Sequence, residues 1–200
     1  MGFMAAIDGE LTIRKELHDV DKFYGLYEEL KTKHPQAPFV IHFRLSTQGG
    51  VTFDNLHPFI IHENFGFAHN GVISQMREWN SNKSDTRLFN ERILKKLPKF
   101  FHRNETIMDF LTAYTQSDKL VYMSGDGFAM ISGYNLGDTD EEGNWFSNTY
   151  WKYGSYYGSS YSKGSSGVIV GGSYNNYNSA GKADWEWDSL KKTWKKSYEK

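Results

Sequence analysis

Cysteine is absent from all 200 residues. That excludes disulfides, thiolate–zinc sites, iron–sulfur clusters and cysteine nucleophiles from the chain as given. No apolar run approaches the roughly 20 residues of a membrane span, and the opening Met-Gly-Phe-Met is too short and too uncharged for a signal peptide. A surplus of charge is missing too, with 23 basic against 24 acidic residues and a formal net charge of −1. Nothing electrostatic therefore calls for nucleic acid or an anionic membrane as a partner. Seven histidines are present, but the spacing around His62 and His69 matches no familiar metal-ligand pattern. The expectation is a soluble, cytoplasmic protein without metal or cofactor.

What is present is a high aromatic content, 16%, and a clear order of patterns. Residues 3–17 alternate around Asp8-Gly9, as in a hairpin. From Asp19 the apolar steps change to three and four (Val20, Phe23, Tyr27, Leu30), which predicts a helix capped by Asp19 and closed by Pro35 and Pro38. Phe39 to Leu45 alternates again, a strand with His42 and Arg44 on its second face. Pro58–Ile61 and Phe65–His69 read as strands, and Asn70-Gly71 before Val72-Ile73 is a strong hairpin signal, since a type I′ turn needs positive φ at both central residues. Ser84 caps a helix over Leu88, Phe89, Ile93 and Leu97, and Asn104 caps another over Ile107, Phe110, Leu111 and Tyr114. Leu120–Met123 and Phe128–Ser132 flank a Gly125-Asp126-Gly127 turn, and Asn144–Trp151 reads as one more strand. Helices grouped between runs of strands predict an α+β fold of antiparallel sheets.

Three regions follow. Residues 1–153 form the domain. Residues 154–182, rich in glycine, serine and tyrosine, read as a flexible segment with one short apolar run at Val168-Ile169-Val170. Residues 183–200 place Trp187, Leu190, Trp194 and Tyr198 at steps of three, four and four among lysines, which predicts a short amphipathic helix. The tyrosines of the tail could stack on bases, but without a basic surplus nucleic acid is not expected.

Four clusters occur in a fixed order: His42-Phe43-Arg44-Leu45-Ser46-Thr47, His57-Pro58, His69-Asn70-Gly71 and Ser84-Asp85-Thr86. Singly, each has an ordinary structural reading as a salt bridge, a turn or a cap. Together they suit a free amino acid. Arginine offers a planar fork to an α-carboxylate, a carboxylate such as Asp85 receives an α-ammonium, and the Asn70 amide with the Gly71 N–H can polarise one carbonyl oxygen. The substrate implied has a carboxylate and an amine at one end and a carbonyl at the other, and glutamine fits.

The order of these clusters resembles the class II glutamine amidotransferases of the N-terminal nucleophile hydrolase superfamily, whose pattern is His-x-Arg-x-x-Thr, His-Pro, His-Asn-Gly and an Asp-Thr pair. The likeness runs from Val40 to about Leu97, including Gly49-Gly50, and Lys119–Asn148 looks like the compact members found in phages. The resemblance implies a four-layer αββα sandwich of antiparallel sheets, N-terminally truncated in this chain. It implies Arg44 as binder of the glutamine carboxylate, Thr47 in the same pocket, Asn70 and Gly71 as the oxyanion hole, and Asp85 on the amine. It also implies an N-terminal cysteine, whose thiol attacks the carboxamide with its own amine as base, and nothing here corresponds to it. Two explanations stand. Either the start lies upstream at a Met-Cys, and the protein hydrolyses glutamine for an acceptor held elsewhere, or catalysis was dropped and a binding protein remains, in a phage setting one that acts on a host factor through its surface or its aromatic tail. Loss of the first strand would expose a sheet edge, which Val168–Val170 could cover.

Overall fold

The computed structural model describes residues 1–45 and 49–149 in full and, beyond them, the backbone of Gly167–Gly171, Trp185–Asp188 and Thr193–Lys196. The chain opens with β1 (Gly2–Ile7) and β2 (Glu10–Lys15), paired antiparallel from Gly2↔Lys15 to Ile7↔Glu10. Asp8 and Gly9 between them both take positive φ, 52° and 86°, which is what the tight hairpin demands. Helix α1 (Val20–Lys33) starts where the Asp19 side chain accepts from the Lys22 N–H, satisfying one orphan donor of the first turn. β3 (Phe39–Phe43) returns antiparallel to β1.

β4 (Phe59–His62) and β5 (Phe65–Asn70) form the next hairpin, with Asn64 in the left-handed region. After a loop come α2 (Asp85–Arg92) and α3 (Glu105–Thr115), capped by the side chains of Ser84 and Asn104. β6 (Lys119–Ser124) and β7 (Ala129–Ser132) make another hairpin, and β8 (Asp138–Thr139) and β9 (Trp145–Phe146) pair as two short strands. The distal strands are β10 (Gly167–Gly171), β11 (Trp185–Asp188) and β12 (Thr193–Lys196). Among the described residues they complete two six-stranded antiparallel sheets, ordered β2-β1-β3-β10-β9-β8 and β11-β12-β7-β6-β5-β4. The fold is α+β, with three α-helices among the described residues, none of them long and apolar enough to cross a membrane.

Three apolar clusters hold the parts together. Phe3, Ala5, Ile7, Phe39 and the helix residue Phe23 form one, so α1 covers one face of the first sheet. Met4, Ala6 and Val40, from the opposite face of those strands, meet Ala68, Val121, Met123, Ala129 and Ile131 of the second sheet. Phe67, Leu120 and Tyr122 on the far face of the second sheet pack against Leu88 and Phe89 of α2 and Met108 and Leu111 of α3. Period-two alternation explains why β1 buries both faces: odd and even residues enter different clusters. Each large side chain so buried contributes about 1.5–3 kcal/mol relative to exposure.

Four expectations need correction. Asn70-Gly71 does not make a hairpin. Gly71 takes φ 148°, the chain leaves the sheet, and Ser74–Met76 form a 3-10 turn, because the Val72 and Ile73 N–H groups donate to Asp118 and Asp85 rather than to a returning strand. The helix after Ser84 stops at Arg92, and Leu94–Lys96 tighten into a 3-10 turn. The strand expected over residues 144–151 is limited to Trp145–Phe146 as far as Thr149, residues 150 and 151 lying outside the described residues. In the tail, Trp185–Asp188 and Thr193–Lys196 are two antiparallel strands, not part of a helix over 183–200, with Trp187 directly opposite Trp194. Tryptophan favours a pleated surface, and a seven-residue separation fits a cross-strand pair as well as two helical turns. Most of the 154–182 segment lies outside the described residues, but the strand expected at Val168–Val170 is there, paired with β3 on one side and β9 on the other.

Candidate functional site

Where β3 and β5 end, a narrow polar pocket is lined by His42, Arg44, Leu45, His57, His69, Gly71, Ser84, Asp85 and Thr86. Three elements aim at it: the end of β3 supplies His42 and Arg44, the end of β5 supplies His69 and Gly71, and the start of α2 supplies Asp85 and Thr86. Its free volume is about 30 Å³.

Three buried imidazoles form its floor. The His42 and His57 rings stack with centroids 4.0 Å apart, and His69 lies 6.2 Å beyond His57. Their hydrogen bonds fix the protons. His42 Nε2 stands 2.9 Å from the His69 carbonyl, which can only accept, so Nε2 carries the hydrogen. The His69 N–H donates to His57 Nδ1 at 3.2 Å, which leaves the His57 proton on Nε2. An accepting Nδ1 makes the His57 ring neutral, and burial, which disfavours the charged form, lowers the pKa of His42 to about 3 and that of His57 well below its ordinary range. His69 Nδ1 bonds the Thr86 hydroxyl at 2.8 Å and its Nε2 stands 3.3 Å from Asp118 Oδ2.

Asp85 is the first residue of α2. Its carboxylate accepts from the Ile73 N–H at 2.7 Å and the Thr86 N–H at 2.8 Å, and a carboxylate at a helix start is favoured by the dipole. Arg44 donates to the Gly50 carbonyl at 2.8 Å. Burial lowers the Arg44 pKa and the negative charge of Asp85 opposes that shift, so the two charges sense each other across the pocket. Gly71 is obligatory as a glycine: a Cβ there would overlap the Asp118 carboxylate, in a region of φ that L side chains avoid.

Of the residues expected to form the site, Arg44, Gly71 and Asp85 line one pocket. Asn70 lies beside it in the chain as the last residue of β5, partly buried, and does not line it. Thr47 lies outside the described residues. Asn55 was not foreseen. Fully buried, its amide donates to the Gly49 and Asn82 carbonyls and its oxygen accepts from the Ser84 N–H, tying the segment after Arg44 to the start of α2. Gly49 packs against the same backbone, where a Cβ would stand 2.5 Å from Ser84 N. An asparagine in a loop carries no local signal of such a task. The roles of His42, His57 and His69 carry no local signal either, because each depends on a residue distant in sequence. Comparisons with protein families, curated proteins and solved structures return no match.

Proposed function

We propose that this is a class II glutamine amidotransferase-like domain, built as the four-layer αββα sandwich of the N-terminal nucleophile type, whose pocket takes glutamine or a similar free amino acid. The observation that carries this reading is the placement of Arg44, Gly71 and Asp85, from different elements, on one pocket. In it the Arg44 guanidinium takes the α-carboxylate and Asp85 the α-ammonium, opposite charges placed as a zwitterion requires. The backbone N–H of Gly71 polarises the side-chain carbonyl. The neutral His42 and His57 rings add no positive charge to compete with Arg44. A pocket of about 30 Å³ admits a water or one oxygen of a head group, so binding moves Leu45, which lines it and is 45% exposed, outward.

Hydrolysis needs a nucleophile that these residues do not contain. The domain as given binds without turnover, and glutamate release is expected only from a form that carries a Met-Cys N-terminus. Calorimetry with L-glutamine tests the reading: binding should appear, weaken at least tenfold in R44K and D85N, and require both the amine and the carboxylate of the ligand. Absence of heat with glutamine, glutamate and asparagine alike would overturn it. Activity absent also from a Met-Cys-extended form would leave the second reading, a non-catalytic protein that engages a partner, favoured by the complete lack of cysteine and by the paired tryptophans of β11 and β12.

A further inference from the structure

β2 is an edge strand of the first sheet and β4 an edge strand of the second, and residues of both line one cavity. This second pocket, of about 520 Å³, lies between them, beside Arg87, Asn90 and Glu91 of α2, and shares no lining residue with the first. Lys15, the last residue of β2, enters it with its ammonium 4.9 Å from the centre of the Phe59 ring. Phe53 and Ile60, also in the lining, are 55% and 42% exposed. The two acids of the lining are already taken, since Arg87 holds Glu91 at 2.9 Å and Asp54 at 3.3 Å. Among the described residues neither Lys15 nor Lys95, the remaining cations of the lining, has a carboxylate within ion-pair distance.

We propose that Lys15 is an attachment site for an anionic carbonyl compound with a flat apolar body, with Lys95 holding the anionic group and Phe53 and Ile60 covering the body. The size of the cavity suits a small molecule. Its chemistry suits this class: an amine set on an aromatic ring, apolar walls left uncovered, and a cation without a counter-charge. Burial, aided by the Arg87 charge and opposed by Asp54, lowers the Lys15 pKa to about 8, so a useful fraction of its amine is neutral near neutral pH and able to attack, as desolvated lysines do. In the reaction the nitrogen lone pair adds to the carbonyl carbon. One hydrogen passes from nitrogen to the former carbonyl oxygen to give a carbinolamine, the second leaves nitrogen as the C–O bond breaks, oxygen departs with both as water, and a C=N imine remains, with no oxidant or reductant consumed.

Pyridoxal 5′-phosphate serves as the probe, followed by borohydride to reduce the C=N bond and by peptide mass mapping. Lys15 should be labelled at least tenfold faster than the exposed, ion-paired Lys22 and Lys33, with a rate that rises through a midpoint near pH 8. K95Q should slow labelling by the phosphate-bearing probe several-fold and leave labelling by uncharged benzaldehyde unchanged. Labels distributed over the lysines according to exposure would overturn the proposal, as would a K95Q variant that treats both aldehydes alike. K15M keeps the apolar stem against Phe59 and should abolish the label at this site while its circular dichroism stays that of the parent. Glutamine binding through Arg44 should survive in K15M, so the two sites fail or stand separately.

Discussion

At the scale of the residue, His42 and His57 show what it takes to bury polar rings in the centre of a fold. Each gives or receives one hydrogen bond to the backbone of His69 and stays neutral. That neutrality makes stability depend on pH. The His42 pKa falls from 6.5 to about 3 on folding, and that of His57 moves the same way. Below pH 6.5 the unfolded chain therefore binds protons that the native state refuses. The contribution is fully present above pH 6.5 and is lost as pH falls, at about 1.4 kcal/mol per pH unit for each ring. Urea denaturation between pH 7 and pH 5 should show this decline, and H42N, whose side-chain amide can still donate to the His69 carbonyl, should flatten it. Gly71 belongs at this scale as well. G71A forces a side chain onto Asp118 at φ 148° and should cost about 1–3 kcal/mol, read from the urea midpoint, while weakening glutamine binding. An unchanged midpoint would mean that the turn after β5 relaxes freely.

At the scale of the element, α2 organises both pockets: its first residues face the first, and Arg87, Asn90 and Glu91 face the second. Its start is held twice, by the Ser84 hydroxyl accepting from the Arg87 N–H at 3.1 Å and by Asn55 accepting from the Ser84 N–H at 3.0 Å. S84A should cost about 1 kcal/mol, as lost caps do. N55A should cost more, about 2–3 kcal/mol, because it leaves a buried N–H and two carbonyls without their partner. Differential unfolding of the two variants measures this, and equal losses would show that Asn55 does not brace the loop. The contrast also shows what could be read from sequence. The caps Asp19, Ser84 and Asn104 were legible because a cap satisfies donors two or three residues away. The Asp8-Gly9 hairpin was legible for the same reason, its strands being neighbours in the chain. The Asn70-Gly71 signal points to a hairpin that does not form, because its outcome is set by Asp85 and Asp118, which only the folded chain brings near. Arg44, Gly71 and Asp85 were legible as a set through the order of their motifs, whereas nothing local marked Asn55.

At the scale of the whole molecule, the continuity of the first sheet depends on a strand that arrives late in the chain. β10 pairs with β3 from Gly167↔Phe43 to Gly171↔Phe39 and with β9 at Ile169↔Phe146 and Val170↔Trp145. It thus joins the hairpin side of the sheet to the short pair β8–β9, and β3 carries His42 and leads directly into Arg44. Without β10, β3 and β9 would become edges, and the backbone of β3, where Phe39 and Val40 are buried, would lose its partners on that side. Each ladder bond contributes roughly 0.5–1.5 kcal/mol net, and more where the abandoned group stays buried. Removal of residues 154–200 should therefore lower stability by several kcal/mol, which for a chain of this size means a fall in Tm of about 10 °C, with aggregation as exposed edges meet. A milder probe is I169P. Residue 169 faces Ile41 on one side and Phe146 on the other, and proline removes its N–H from the ladder. If β10 secures the sheet, I169P should reproduce much of the deletion's loss in Tm, and glutamine binding should weaken with it because the end of β3 positions Arg44. If both variants melt like the parent, the sheet closes without β10 and the pocket owes its shape to β1 and β5 alone.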